Sequence, residues 1–257
     1  MKKHIAIILS AGKGTRMNSQ IPKQYLEIDE KPIIYYTIKA FSKKCIDEII
    51  LVTGKDDIEY VKKDIVDKYN LQKVTKIVAG GANRYDSVYE GLKAIEIEYN
   101  KKDTPKKQQI YVHIHDGARP CITEEEITNI TNSVEQYKAC ALGVKVKDTI
   151  KIVNANQNVI QTPNRETLWA IHTPQSFEYS TILSAYTKMY ESMNLATTKD
   201  TATLENQQQL NITDDAMVLE HFSTQQLKLI QGNYTNIKIT TPEDLQIAKI
   251  YLQNINN

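Results

Sequence analysis

The chain of 257 residues has little cysteine and no long apolar run. Its three cysteines, Cys45, Cys121 and Cys140, are scattered and odd in number, so their pattern implies neither a disulfide framework nor a zinc site. The apolar stretch near the N-terminus ends after Leu9, too early for a signal-peptide core. No later stretch is long enough to span a bilayer. These absences predict a cytoplasmic protein with reduced cysteines.

The chain also lacks a strong net charge. It has 32 Lys and Arg against 31 Asp and Glu, a formal net charge of +1. Such a balance gives no global attraction to nucleic acid or to a membrane, so we expect neither as a partner. Any anion site must be a local cluster of charge. The length suits one large α/β domain, or one domain with an appendage, and allows a substantial core.

One cationic, glycine-containing segment follows the first apolar run, residues 5–9. Residues 10–17 read Ser-Ala-Gly-Lys-Gly-Thr-Arg-Met, and Pro-Lys-Gln follows at 22–24. Glycine lets backbone N–H groups approach a ligand closely, and successive amides form a concavity that binds anions. Arg16 and Lys23 add two mobile positive charges. This combination suits a nucleoside triphosphate.

The segment differs from the two commoner phosphate loops. A dinucleotide fingerprint needs a third glycine where Met17 stands, and in a P-loop the lysine follows its glycine, whereas Lys13 precedes it. The alternative is an ordinary strand-to-helix turn with exposed charges. The register of Arg16, Met17 and Lys23 favours the phosphate site.

Apolar runs typical of strands alternate with amphipathic stretches through the first half of the chain. This alternation predicts a parallel sheet with helices on both faces, in which ligands bind at the carboxyl ends of the strands. Three polar loops, 10–24, 79–87 and 115–120, follow such ends. The predicted strands are 5–9, 48–52, 74–78 and 110–114, and the predicted helices are 33–41, 58–69, 86–99 and 242–252.

Two of these loops contain further candidate side chains. Asp116 follows a strand in His-Asp-Gly-Ala-Arg-Pro, and a carboxylate there can hold Mg²⁺, which takes few protein ligands plus phosphate oxygens. Gly117 lets the backbone approach a ligand. Arg119 either holds phosphate or pairs with an internal carboxylate. Ser87 can read a pyrimidine edge, because it donates and accepts, or cap a helix, and both can hold at the start of a helix.

The pattern changes in the second half of the chain. Residues 147–153 and 159–162 flank a turn-rich cluster at 154–158, which predicts a β-hairpin. A two-stranded ribbon is rarely stable alone, so we expect it to pack against another surface, such as that of a second subunit. The polar stretches 101–109 and 191–209 predict surface insertions or mobile loops.

Taken together, these segments make the chain resemble the 2-C-methyl-D-erythritol 4-phosphate cytidylyltransferases nearly from end to end. The resemblance implies a Rossmann-like, GT-A-like nucleotidyltransferase fold, with a mostly parallel sheet flanked by helices and a protruding β-arm. It implies a single domain over 1–257, with an arm of about 144–172 that interlocks two subunits of a homodimer. The matching motifs are residues 10–17, 22–25, 80–88, 115–120, 146–151, 168–177, 213–216 and 234–245.

The resemblance also implies a reaction. CTP and a phosphorylated polyol give a CDP-polyol and pyrophosphate with Mg²⁺, on the non-mevalonate route to isoprenoids. Carried over by position, the catalytic cations are Arg16, Lys23 and Lys238; the nucleotide contacts are Ala11, Gly12, Gly81, Ser87 and Gly117; the metal ligand is Asp116; and the polyol-phosphate contacts are Thr149, Arg165, Thr173 and Thr213.

Departures from the family pattern leave alternatives open. Ala82 stands where the family usually has an acidic residue, and Pro163-Asn164-Arg165 is similar to the ribitol-5-phosphate cytidylyltransferases. Those relatives, however, typically have Gly-Gly at positions 11 and 12 and lack the Leu-Trp pair at 168–169, so the balance favours methylerythritol phosphate. A non-catalytic nucleotide-binding protein is a third reading, against which the retained Lys23 and Asp116 argue.

Overall fold

The computed structural model describes residues 2–12, 21–99, 108–198 and 211–256. The predicted catalytic Arg16 lies outside these ranges. The described strands are β1 (Lys2–Ser10), β2 (Glu27–Ile28), β3 (Lys31–Pro32), β4 (Glu48–Thr53), β5 (Val74–Ala79), β6 (Gln109–Asp116), β7 (Ala139–Lys145), β8 (Ile152–Val153), β9 (Val159–Gln161), β10 (Trp169–Glu178) and β11 (Lys228–Gln231). The described helices are α1 (Ile33–Phe41), α2 (Ile58–Tyr60), α3 (Arg84–Tyr99), α4 (Glu124–Tyr137), α5 (Tyr179–Thr198), α6 (Asp215–Phe222) and α7 (Pro242–Asn256).

Seven strands form the central sheet, in the order β11-β7-β10-β6-β1-β4-β5. β10 runs antiparallel to β6 and β7, and the other neighbouring pairs are parallel. The predicted mostly parallel α/β fold is confirmed. The carboxyl ends of β1, β5 and β6 all lie at one edge of the sheet, and the three polar loops predicted to carry the site leave from them.

Both faces of the sheet are covered by helices. In β1, Ala6 and Ile8 pack with α1 and α4, whereas Ile5 and Ile7 pack with α3, α5 and α6 on the other face. Burial on both faces explains why this strand is a continuous apolar run instead of an alternating one. Each fully buried isoleucine of β1 contributes about 1.5–3 kcal/mol to the stability of the fold. No helix in the described ranges is long and apolar enough to cross a bilayer.

Some predicted elements differ from those observed. The predicted helix 58–69 begins as α2 and continues as a π-helix over Val61–Asp67, a difference in hydrogen-bond spacing that apolar periodicity does not resolve. The predicted hairpin contains only the short ladder β8–β9, and residues 147–151 are not strand. The prediction of a mobile loop at 191–209 is wrong for its first part, because α5 extends to Thr198. Residues 199–210 lie outside the described residues.

Helix α3 approaches the sheet closely at Gly91. A Cβ atom added there would lie 2.7 Å from Ile7 Cγ2 and 3.3 Å from Val52 Cγ2, both of which belong to buried side chains. The loop after β5 leads directly into α3, so this packing also determines where that loop lies relative to the ends of β1 and β4.

We predict that Gly91→Ala destabilises the protein. Overpacking of a core contact costs about 1–3 kcal/mol, against a gain of about 0.5–1 kcal/mol in helix propensity. Urea denaturation measures the net change. Gly12→Ala is the matched control, because its added Cβ would meet nothing within 4 Å. Equal free energies of unfolding for the two variants would contradict the close packing of α3.

Candidate active site

A cleft opens at the carboxyl edge of the sheet, between the loops after β1, β5 and β6. Its walls also include the turn at Lys23 and the segment that precedes α7. Gly117 lies between two residues of the lining, Asp116 and Ala118. The cleft thus gathers residues from five separate parts of the chain. Of the predicted site residues, those that line it are Ala11, Gly12, Lys23, Gly81, Ser87, Asp116 and Lys238.

Asp116, at the end of β6, is surrounded by positive charge. Arg84 Nε donates to its Oδ1 at 3.2 Å, and Lys238 Nζ lies 2.8 Å from its Oδ2. Arg119 Nε lies 3.8 Å from Oδ2, so the predicted pairing with Arg119 exists as the longest of the three contacts. The backbone N–H of Asp116 donates to Thr173 Oγ1 at 3.1 Å. The side chain is therefore fixed in place and faces the cleft.

The surrounding cations keep the Asp116 carboxyl group ionised. Burial by itself raises the pKa of this group, but the charges of Arg84, Lys238 and Arg119 outweigh it and hold the pKa well below the usual value. Asp116 is only 8% exposed. It is therefore a fixed anion at any physiological pH and a suitable hard ligand for a divalent cation.

Arg84 and Asp215 were missed among the predicted site residues. Arg84 Nη1 and Nη2 donate to the two Asp215 carboxylate oxygens, each at 2.9 Å, and Tyr186 Oη donates to Oδ1 at 2.6 Å. Asp215 is fully buried. The available signals were the position of Arg84 in the loop after Gly80-Gly81 and the place of Asp215 in Thr-Asp-Asp-Ala, but no sequence pattern joins residues 131 positions apart.

The loop after β5 is organised by Ser87, in the first turn of α3. Its Oγ accepts from the backbone N–H of Gly81 at 3.2 Å and is 3.2 Å from Asn83 O, to which it donates. Asp86 Oδ2 accepts from both the backbone and the side-chain amide of Asn83, the residue before the helix. The helix-cap alternative for Ser87 is therefore wrong, because Asn83 occupies the position before α3 and Ser87 lies inside the helix. A role in reading a pyrimidine stays a prediction.

Lys23 belongs to a 3₁₀ turn, Lys23–Tyr25, that is tied to the sheet. Gln24 Nε2 donates to Ser10 O at 2.6 Å, and Tyr25 Oη lies 2.7 Å from Thr53 Oγ1. Lys23 Nζ donates to Ile239 O at 2.9 Å, next to Lys238 in the chain. The Lys23 side chain is thus bound to the backbone of the residue that follows Lys238, and both predicted catalytic lysines line the cleft.

The segment 233–240 connects the cleft to β10. Asn236 Nδ2 donates to Thr173 O at 3.0 Å, while Arg119 Nη1 donates to Asn236 O at 2.7 Å. Thr173 Oγ1 also lies 3.0 Å from His115 Nδ1. Thr173 therefore fixes the backbone of Asp116 through its hydroxyl group. It is not among the residues that line the cleft.

His115 has no free nitrogen to act as a general base. Its Nδ1 contacts Thr173 and its Nε2 lies 3.1 Å from Arg119 O. Burial lowers its pKa to about 3, so the ring is neutral at neutral pH. His113 is likewise buried with a pKa lowered to about 3, and it pairs with Ser176. Both histidines therefore have structural roles.

The other predicted polyol-phosphate residues lie apart from the cleft. Thr149 and Arg165 are exposed residues of the segment between β7 and β10, where Arg165 Nη1 donates to Lys147 O at 2.9 Å. Thr213 is exposed just before α6 and lines a different depression of the surface. Within the described parts of one chain, the structure does not bring these three residues to Asp116.

A divalent cation would have few protein ligands here. The described residues contain no group of three or more His, Cys, Asp or Glu side chains that could hold a metal. Mg²⁺ commonly binds through one or two carboxylates together with substrate phosphates. Asp116, ionised and facing the cleft, fits that role. The donor set suits a magnesium ion that enters with a triphosphate better than a resident one.

These features define a class of protein: a Rossmann-like α/β nucleotide-binding fold whose cationic site lies at the carboxyl edge of the sheet. The family model described as 2-C-methyl-D-erythritol 4-phosphate cytidylyltransferase (IspD) matches residues 4–254. The chain belongs to this family.

Individual relatives agree with this assignment. A Clostridium botulinum (strain Langeland) protein of that name is 46% identical over 256 residues, which cover 99% of this chain and 100% of the relative. One from Lachnospira eligens is 44% identical over 249 residues, covering 96% and 98%. The crystal structure of 4-diphosphocytidyl-2C-methyl-D-erythritol synthase from Anaerococcus prevotii is 34% identical, with a TM-score of 0.76, covering 98% of this chain and 96% of that one.

We predict that Asp116→Asn lowers the free energy of unfolding at neutral pH and makes that free energy depend less on pH in the acid range. An aspartate with a depressed folded-state pKa contributes stability that is fully present above its unfolded value, about 3.9, and that is lost as pH falls toward the folded value. Removing the charge takes the carboxylate partner from Lys238 and Arg119 and leaves Arg84 paired with Asp215 alone, at a cost of about 1–3 kcal/mol. Urea denaturation between pH 7 and pH 2.5 measures both effects.

Glu135→Gln is the control for this experiment. Its pKa is also lowered, mainly by the hydrogen bond from Lys2, but that pair lies at the surface, so the loss should be smaller. Parallel acid curves for wild type and Asp116→Asn would contradict the electrostatic account of the cleft.

Proposed function

We propose that this protein joins CTP and 2-C-methyl-D-erythritol 4-phosphate to give 4-diphosphocytidyl-2-C-methyl-D-erythritol and pyrophosphate, a step of non-mevalonate isoprenoid biosynthesis. The observation that carries the proposal is the ionised carboxylate of Asp116 in a cleft that Lys23, Lys238 and Arg84 also line, at the carboxyl edge of the sheet. The full-length relatives, named for this reaction at 44–46% identity, support the choice of acceptor over ribitol phosphate.

The chemistry needs charge neutralisation more than a base. The nucleophile is an oxygen of the acceptor's phosphate monoester, whose second pKa is about 6, so it is largely a dianion at neutral pH. It forms a bond to the α-phosphorus of CTP as the bond from that phosphorus to the bridging oxygen breaks, and pyrophosphate leaves with the electron pair. No proton need be removed, which agrees with the structural role of His115.

The main barrier is the approach of two highly charged anions. Lys23 and Lys238, which both line the cleft, supply positive charge to the triphosphate, and Arg16 adds to it in this proposal. Asp116 would hold Mg²⁺, which would supply further charge neutralisation at the reacting phosphates. Gly81 and Ser87 bind the cytosine, and Ala11, Gly12 and Gly117 approach the phosphates and ribose.

The acceptor site is shared between two subunits in this proposal. Within one chain, Thr149 and Arg165 lie away from the cleft, on the predicted arm of about 144–172, several of whose apolar side chains are uncovered. Ile160 is 66% exposed and Val159 59% exposed, and Ile152 and Val153 also face solvent. Such a ribbon needs a packing partner, for which a second copy of the chain is our proposal, with Arg165 reaching the partner's cleft.

The cysteines support a proposal for the compartment. Cys45, Cys121 and Cys140 are all free thiols, and the latter two are buried. Free buried cysteines suit a reducing compartment, which supports a cytoplasmic location.

A substrate panel tests the proposed function. The protein is incubated with CTP, Mg²⁺ and either methylerythritol phosphate or ribitol 5-phosphate, and pyrophosphate is measured. We expect release with methylerythritol phosphate that is at least tenfold faster than with ribitol 5-phosphate. Faster release with ribitol 5-phosphate would assign the other acceptor, and no release with either would leave nucleotide binding alone.

Complementation between inactive variants tests the shared site. Lys23→Ala removes a preorganised charge and should cost about a hundred- to a thousandfold in turnover. Arg165→Ala should cost similarly, because a planar guanidinium grips phosphate with two hydrogen bonds. Mixed and allowed to exchange subunits, the two variants should regain activity, since each heterodimer then has one site with both residues intact.

The control for this mixture is Lys39→Ala, which lies on α1 outside the cleft and should keep wild-type turnover. If native mass spectrometry shows that heterodimers form but activity stays at the level of the single variants, Arg165 does not act across the interface.

A further inference from the structure

Among the three cations that the described residues place around Asp116, Arg84 is the one that hydrogen-bonds the carboxylate and is also fixed by a second ion pair. Lys238 reaches Asp116 on a flexible stem from a position 38% exposed. Arg119 Nε lies 3.8 Å from Asp116 Oδ2, and Arg119 Nη1 donates to the backbone carbonyl of Asn236. Both are less suited to set the orientation of Asp116.

The second ion pair of Arg84 is geometrically demanding. Its two terminal nitrogens each donate to one oxygen of Asp215 at 2.9 Å, and only Nε remains for Asp116. Asp215 has no exposed surface, and Tyr186 holds one of its oxygens. A planar fork bound at two points cannot rotate, so the direction of its Nε–H is fixed as well.

The buried anchor is fixed by several elements. Asp215 is the first residue of α6, and Asp214 caps that helix by accepting from Met217 N. Gln175 of β10 donates to Asp214 Oδ2 and accepts from Ala216 N, each at 2.8 Å. The anchor for Arg84 is thus supported from the sheet as well as from Tyr186 in α5.

We propose that Arg84 is a positioning residue of the nucleotide site, and that buried Asp215 acts through Arg84 to hold the Asp116 carboxylate in the orientation that receives the metal-bound nucleotide. This inference rests on the function proposed above. Arg84 and Asp215 touch neither reacting phosphate in this scheme; they set where Asp116 points.

Two variants separate positioning from charge. Arg84→Lys keeps the positive charge, but a single ammonium on a flexible stem cannot make the two bonds to Asp215 and the bond to Asp116 together. Asp215→Asn keeps Arg84 and the shape of the residue at position 215, but it weakens the pair of hydrogen bonds between the two side chains. A displacement of about 1 Å in a reacting group can cost about a hundredfold in rate. We therefore expect kcat losses of about ten- to a hundredfold.

The measurements are kcat, KM for CTP, the calorimetric affinity for CTP with Mg²⁺ in the absence of acceptor, and the thermal midpoint. Arg84→Lys should lower both kcat and the calorimetric affinity, Asp215→Asn should do the same less strongly, and the double variant should be no worse than Arg84→Lys. Ser176→Ala is the control, because it removes a buried hydrogen bond to His113 at 2.8 Å outside this cluster. It should lower only the thermal midpoint.

The proposal is overturned if folded Asp215→Asn keeps wild-type kcat and nucleotide affinity. It is also overturned if Ser176→Ala, at a similar loss of thermal midpoint, loses as much kcat and affinity. If neither Arg84→Lys nor Asp215→Asn folds, Tyr186→Phe takes their place, since it removes one hydrogen bond to Asp215 and no charge; unchanged affinity then contradicts the proposal. Absence of pyrophosphate release by wild type would refute the proposed function, while the calorimetric comparison would still test Arg84.

Discussion

The Asp116 carboxylate lies at the end of a buried strand with Arg84 on one oxygen and Lys238 on the other. Asp116 is only 8% exposed, and burying an ionised carboxylate costs free energy unless opposite charges lie beside it. Arg84 and Lys238 supply those charges from other parts of the chain. The cations reach it from the start of α3 and from the segment before α7. The need to neutralise one carboxylate therefore connects the loop after β5, the end of β6 and the C-terminal part of the protein.

The same cluster leaves an excess of positive charge facing the cleft. Three cations, Arg84, Arg119 and Lys238, stand beside two carboxylates, Asp116 and Asp215. In the proposed function, a triphosphate or a phosphate monoester would complete the neutralisation. Asp116 and Lys238 thus belong both to the ion pairs that connect the loops and to the lining of the cleft.

Much of this arrangement is predictable from sequence, and the exceptions have physical reasons. The strands around Ile5–Leu9 and Ile110–Ile114 were predictable because burial on both faces demands continuous apolar runs. The convergence of Lys23 and Asp116 followed from the rule that parallel strands present their carboxyl ends at one edge. Antiparallel β10 was not predicted, since its direction depends on tertiary packing. The Arg84–Asp215 pair was missed because no local pattern marks a contact between distant residues, and the roles of Thr149 and Arg165 depend on a partner that one sequence does not display.

Binding of Mn²⁺ in place of Mg²⁺, followed by electron paramagnetic resonance of the free ion, tests the central claim most directly. The account holds that Asp116 presents a fixed anionic ligand to a metal that arrives with the nucleotide. Wild-type protein with CTP should therefore remove Mn²⁺ from solution more strongly than CTP alone, and folded Asp116→Asn should lose that additional binding. If Asp116→Asn binds Mn²⁺ with CTP as tightly as wild type, Asp116 is not the ligand, and the site must be explained by its cations alone.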